Sequence, residues 1–142
     1  MYYLKAEASF DAAHFLARYQ GKCRNIHGHH WIVEIRIAGD QLQTTQQEDG
    51  MLVDFSQLKH DLKQLADTMD HTLIYETGTL RTQTREALAQ DGFSLTEVAF
   101  RPTAENFARH FFLRMEERGY AVAEATVYET PNNCASYTGE AQ

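Results

Sequence analysis

The sequence has 142 residues, 20 Asp and Glu against 13 Lys and Arg, 43% hydrophobic residues, seven His, two Cys and two Pro. This length fits one domain spanning 1–142, with a core large enough to fold without a disulfide or structural metal, so any bound metal is expected to serve chemistry. A net charge of −7 argues against sequence-independent nucleic-acid binding and against adsorption to an anionic membrane.

The opening stretch Met1 to Glu7 carries charge where a secretory signal would be apolar, and no apolar run approaches transmembrane length. The expectation is a cytoplasmic protein with Cys23 and Cys134 as free thiols. From Tyr2 to His14 apolar residues alternate with polar ones, predicting a half-buried strand with His14 in the apolar phase. A second alternating stretch puts His27, His29, Trp31, Val33, Ile35 and Ile37 in one phase, with Gly28, His30, Glu34 and Arg36 in the other. The two runs read as an antiparallel pair.

Asp54 then caps a predicted helix with Gln57 at its third position, an apolar stripe through Phe55, Leu58, Leu62, Leu65, Ala66 and Met69, and an end near Asp70-His71. Residues 72–100 are hard to read, with a short helix over Arg81 to Ala89 and a turn at Asp91-Gly92. Thr103 caps a second strong helix bearing Ala104, Phe107, Ala108, Phe111 and Met115 on one face and closing at Gly119. Ala121 to Thr130 reads as a strand, Pro131-Asn132-Asn133 as a turn and Cys134 to Thr138 as a return strand. Four strands and two main helices in one unit make an α+β domain.

His27 and His29, two apart, share a face of their strand, and His14 occupies the same phase on its neighbour. Three imidazoles converging with a fourth position open suit a catalytic zinc rather than a closed structural site. The alternative is a pair of ordinary polar surface residues. It is weakened by the company of Phe10, Trp31 and Val33, among which an unpartnered imidazole is costly to desolvate. Gly28 lets the backbones pack closely or simply leaves the opposite face bare. His30 points with Glu34 and Arg36 and is excluded as a ligand, while His60 and His110 read as solvated side chains.

Cys23 sits between Lys22 and Arg24, whose charges favour thiolate over thiol. It reads as a general base, as an inconsequential loop cysteine, or as a fourth zinc ligand, and spacing does not separate these. Asp70 can orient His71 and favour its cation. Glu129, in phase with Ala125 and Val127, is a carboxylate on an apolar face that needs donors, from a ligand or from a local Lys or Arg.

Phe10-Asp11-Ala12-Ala13-His14, Cys23-Arg24-Asn25-Ile26-His27-Gly28-His29, Asp70-His71, Pro102-Thr103-Ala104-Glu105-Asn106 and Tyr128-Glu129-Thr130 resemble, in order, the 6-pyruvoyl- and 6-carboxytetrahydropterin synthase family. The resemblance implies a tunnelling fold (T-fold), with a four-stranded antiparallel sheet and two helices on one face, assembled through sheet edges into trimers or hexamers with sites at subunit interfaces. It implies Zn2+ on His14, His27 and His29, Cys23 as proton acceptor, Asp70 and His71 as a proton relay and Glu129 as anchor of the pterin ring. The implied substrate is a pterin triphosphate, 7,8-dihydroneopterin triphosphate.

Three residues between Cys23 and His27 resemble the carboxy-forming lyases of the queuosine and 7-deazapurine pathway. Tyr128 to Asn133 looks more like the pyruvoyl-forming enzymes, and the segment from 72 to 101 is longer than is usual in the family. A zinc-binding scaffold without turnover is the alternative of another class, but it has no need of Cys23 beside two cations. Lys22 and Arg24 are the nearest cations to the proposed centre for a triphosphate.

Overall fold

The computed structural model describes residues 1–141. The two alternating runs form β1 (Tyr2–His14) and β2 (His27–Gly39), paired antiparallel along their whole length from Tyr2 opposite Gly39 to His14 opposite His27. This register carries the site, because it sets His14 beside His27 and Ala12 beside His29 with all three imidazoles in one phase. A loop with a 3₁₀ turn at Lys22–Arg24 joins the strands.

Helix α1 (Phe55–Asp67) is capped by Asp54, whose side chain accepts from Ser56 N at 2.8 Å. Gln57 does not complete the reciprocal box; its side chain donates to Asp61 Oδ1 at 3.0 Å. Leu58, Leu62 and Ala66 are buried and Phe55 is half exposed, so the stripe is narrower than its spacing predicts. After it come β3 (Thr72–Glu76), α2 (Thr82–Gln90) and β4 (Leu95–Val98), then α3 (Ala104–Glu117), β5 (Val122–Thr130) and β6 (Asn133–Tyr137).

The sheet order is β4-β3-β1-β2-β5-β6. The four expected strands are present and antiparallel, but the sheet has six strands and is mixed. The segment 72–101 supplies the difference. β3 runs parallel to the end of β1 over Ala12–His14, and β4 parallel to β3. Parallel neighbours need a crossover, and α2 provides it. None of its residues is buried, so it makes the crossover without joining the core.

α1 and α3 pack on one face, α1 against β1 and α3 against β5, β6 and β2. Thr103 Oγ1 caps α3 by accepting from Asn106 N, and Gly119 at φ +92° terminates it, a left-handed position a side chain would strain. The core between helices and sheet is aromatic: Phe10 stacks on Trp31 at 6.0 Å, and Phe107 meets Trp31 edge-on at 4.9 Å. Trp31 in turn stands edge-on to His14 at 5.0 Å and His29 at 5.3 Å. The apolar layer is therefore the floor of the histidine cluster.

His110 departs from expectation. Rather than solvated, it is half-buried against Phe100 and Phe111, and burial, with Arg114 adding, pushes its pKa down to about 4. Among the described residues no helix is long and apolar enough to cross a membrane.

Because Phe107 is fully buried under Trp31, Phe107→Ala should cost about 3–5 kcal/mol. Denaturant unfolding of the two proteins measures it, and a loss below about 1 kcal/mol would contradict the packing described.

Candidate metal centre

β1 ends beside the start of β2, and the inward positions there are filled by imidazoles instead of aliphatic side chains. His14, His27, His29 and Glu129 each offer one ligand atom, and the four atoms lie within 4.8 Å of one another. His14 is 2% exposed. Burial pushes its pKa down to about 4 despite the Pro102 hydrogen bond, with His27 and His29 adding to the fall. His29 is lowered by burial, against the opposing charge of Glu129.

The hydrogen bonds fix two tautomers. His14 Nδ1 lies 2.8 Å from the Pro102 carbonyl and His27 Nδ1 2.7 Å from the Asn25 carbonyl. A carbonyl only accepts, so both Nδ1 atoms carry a proton, and in the neutral rings both Nε2 atoms present lone pairs. Those Nε2 atoms face each other at 3.1 Å. Two acceptors at that distance repel unless a cation lies between them. His29 Nε2 is buried without a hydrogen-bond partner, although Glu129 Oε1 is 3.0 Å away. Three imidazole nitrogens and a carboxylate oxygen form a donor set that a divalent metal accepts.

Glu129 reaches the cluster from β5. The β5–β6 pairing slips between Tyr128 and Thr130, leaving Glu129 as the extra residue of a bulge, a device that re-aims a side chain. The ring nearest its carboxylate is His29, Oε1 to Nε2 3.0 Å, rather than a Lys or Arg. Cys23, half-buried, lines a cavity of about 400 Å³ together with Lys22, His27, His29 and Glu129. Of the three readings open for this thiol, fourth ligand is the one the geometry does not favour, since the fourth member of the metal-capable group is Glu129.

Asp70 and His71 do not join this cluster within the protomer. His71 lines another cavity of about 620 Å³, where Ala13, Gly28 and His30 form the floor, Leu88, Phe93 and Leu95 a wall, and His29 the border with the cluster, while Asp70 lies outside that lining. A Cβ on Gly28 would meet nothing closer than Ala12 O at 3.7 Å, so this glycine keeps the floor open rather than permitting close packing.

Asp70 Oδ1 accepts from Asp11 N at 2.8 Å, and His71 N donates to Asp11 O at 2.6 Å. These bonds hold His71 at φ +58°, an uncommon conformation for a residue with a side chain. Asp70 Oδ2 accepts from His71 Nδ1 at 2.9 Å, which raises the His71 pKa, while the bond from Asp11 N leads the causes lowering that of Asp70. The exchangeable position of His71 is therefore Nε2, which faces solvent.

Three imidazoles and a carboxylate set on one sheet beside a half-buried thiol define a candidate metal-dependent enzyme of the T-fold type. The chain belongs to the 6-pyruvoyl tetrahydropterin synthase family, whose model matches residues 3–140. It is 36% identical over 140 residues to the 6-carboxy-5,6,7,8-tetrahydropterin synthase of Haemophilus influenzae, covering 96% of this chain and 99% of that protein. Over 125 residues it is 37% identical to the Synechocystis protein of the same name, covering 81% and 97%. The fold matches the Caenorhabditis elegans 6-pyruvoyl tetrahydropterin synthase at a TM-score of 0.69 and 24% identity, over 98% of this chain and 96% of that one. The chain is thus an enzyme, a tetrahydropterin synthase-like lyase.

Metal added to chelator-stripped protein at 100 times its Kd should stabilise the fold by about 2.7 kcal/mol, read as a rise in Tm. His29→Ala, lacking one donor, should lose most of that rise, and an unchanged response would remove His29 from the ligand set. Asp70→Asn should lower the His71 pKa in an NMR titration, because the raised value depends on the carboxylate.

Proposed function

We propose that this enzyme is a cytoplasmic, zinc-dependent 6-carboxytetrahydropterin synthase of queuosine and 7-deazapurine biosynthesis. It would convert 7,8-dihydroneopterin triphosphate and water to 6-carboxy-5,6,7,8-tetrahydropterin, acetaldehyde and triphosphate. The observation that carries this reading is the opposed Nε2 pair of His14 and His27, 3.1 Å apart, beside a cavity that also holds Cys23 and Glu129. The names of the Haemophilus and Synechocystis relatives support the carboxy-forming reaction.

The residues fit zinc, with His14, His27 and His29 as its holders. When bound, zinc supplies Lewis acidity that makes carbon-bound protons next to the substrate's side-chain hydroxyls easier to remove. Cys23 Sγ, in the same cavity, is the acceptor for such a proton. Glu129 offers two carboxylate oxygens to the two adjacent N–H donors of the amino-pyrimidine edge, a bidentate charge-assisted pair that orients the ring. Asp70 holds His71 Nδ1 and makes Nε2 the atom that gives or takes a proton. Lys22 lines the cavity and is placed to meet the triphosphate.

His71 and Cys23 line different cavities of one protomer, which supports a homo-oligomer, trimer or hexamer, whose sites take Cys23 from one copy and His71 from the next. A second reading, the pyruvoyl-forming reaction, is favoured by the Tyr128 to Asn133 segment and separated from the first by its products.

Purified enzyme given 7,8-dihydroneopterin triphosphate should release acetaldehyde and triphosphate together. A pyruvoyl product without acetaldehyde would reverse the choice. Cys23→Ala should keep its zinc and lose turnover, and a fall in metal content would make Cys23 a ligand. Mixing and reassembling inactive Cys23→Ala and His71→Ala proteins should restore up to about a quarter of wild-type activity, the share of sites that draw both intact halves from a random mixture. No recovery would place both residues in one copy.

A further inference from the structure

We propose that Arg101 is a positioning residue for Cys23: its guanidinium, at the entry to α3, fixes the loop between β1 and β2 that presents the thiol to its cavity. The consequence for turnover rests on the proposed reaction, while the bracing of the loop stands on geometry. Residues 15–26 lie outside the strands and carry Cys23 in the 3₁₀ turn Lys22–Arg24. The tie that joins the two arms of this loop runs from Leu16 N, which donates to the Cys23 carbonyl at 2.9 Å. Whatever holds the chain at Leu16 therefore also holds Cys23.

Arg101 holds the loop at two points. Its Nη2 donates to the Ala17 carbonyl at 3.0 Å, one residue from the Leu16 amide. Its guanidinium carbon lies 5.9 Å from the centre of the Tyr19 ring, within reach of a cation–π attraction. Tyr19 passes the constraint on. A Cβ on Gly21 would fall 2.6 Å from Tyr19 Cε1, so the ring lies against Gly21, the residue that opens the turn bearing Cys23. Gly21 has a φ of 168°, which is extended backbone, so the glycine makes room for the ring rather than supplying an unusual conformation. Both contacts of Arg101 end on backbone that leads into Cys23.

A solvated surface arginine and a direct triphosphate contact are the competing explanations. A surface arginine keeps its head in water, whereas among the described residues Arg101 Nε is buried without a hydrogen-bond partner, a desolvation cost that contacts elsewhere on the side chain must offset. Nor does Arg101, among the described residues, line the cavity of Cys23, where Lys22 is the cation. Arg18, also on the loop, meets Glu76 at 3.3 Å with its own side chain largely in solvent, a pair that restrains little. The next residue after Arg101 is Pro102, whose carbonyl holds His14 Nδ1. One turn thus sets both the thiol loop and that imidazole relative to α3, and a reacting group misplaced by a fraction of its reach loses rate steeply.

Arg101→Met keeps the stem and removes the guanidinium. With 7,8-dihydroneopterin triphosphate as substrate, kcat for triphosphate release should fall on the order of 10–100-fold while KM and metal content stay near the wild-type values. Arg101→Lys, which can still donate to the Ala17 carbonyl, should recover part of the loss. In the substrate-free protein, Arg101→Met should remove the hydrogen-exchange protection of the Leu16 amide. It should also speed alkylation of Cys23 by iodoacetamide, followed on its own peptide apart from that of Cys134. A raised KM with unchanged kcat would make Arg101 a substrate contact and overturn the proposal. Unchanged exchange together with unchanged alkylation would overturn it as well.

Should Arg101→Met fold poorly, Tyr19→Ala replaces it, since that ring is 44% exposed and lies outside the core. It should speed exchange and alkylation in the same direction by a smaller factor, and wild-type values for both would overturn the proposal. The wild-type products separate this proposal from the reaction. Triphosphate without acetaldehyde defeats the carboxy-forming reading and leaves the kcat comparison intact. A wild type that releases no triphosphate defeats the reaction itself, and exchange and alkylation then decide whether Arg101 holds Cys23.

Discussion

Two imidazole lone pairs are held face to face by parts of the chain that have no freedom to turn them away. His14 and His27 each commit Nδ1 to a backbone carbonyl, of Pro102 and Asn25, and the Nε2 atoms are left 3.1 Å apart. Rotating either ring would forfeit its hydrogen bond, the one from His14 buried, and sliding either strand would break a pairing thirteen residues long on each side. A local conflict so firmly built in is the mark of a site meant for a partner. A divalent cation turns the repulsion into two bonds, and the donors around it follow from that requirement.

The rest of the fold serves to keep that pair in place. Trp31 lies edge-on beneath two of the histidines and is locked by Phe10 and Phe107. α3 contributes twice: its buried stripe holds Trp31 from below, and the residues leading into it present the Pro102 carbonyl. Thr103 N and Asn106 Nδ2 both donate to the Arg101 carbonyl, at 2.8 and 2.9 Å, so the turn before the helix is braced where it must meet His14. The resemblance carried Pro102 to Asn106 as a motif; the structure gives part of it a job in orienting a ring.

The histidine cluster was legible because period-two alternation is unbroken from Tyr2 to His14 and along β2, so a histidine's phase fixes its face. The helices were legible through their caps and stripes. β3 and β4 were not, being five and four residues long and parallel; their pairing is decided by distant partners, which leaves little local pattern. Glu129 was read as inward-facing, yet its neighbour was not, because a bulge interrupts the register that would have located it. Asp11 left no trace either. It clamps Asp70 and His71 through backbone atoms, which every residue but proline possesses.

The parity of β1 also bears on assembly. Asp11 and His14 are an odd number of residues apart on one strand, so what each side chain stands beside lies on opposite faces of the sheet. The metal-capable cluster grows from His14 on the helix side, and the cavity that His71 lines has Ala13, Gly28 and His30, of the bare side, as its floor. Cys23 and His71 line different cavities, with His29 in the lining of both, and in the proposed oligomer a second copy would supply one of the two. β1 is suited to meeting another copy: its edge away from β2 is paired only at Ala12–His14, leaving the stretch before it open to a further strand. The strand that carries His14 thus also carries the open edge along which the proposed oligomer would join.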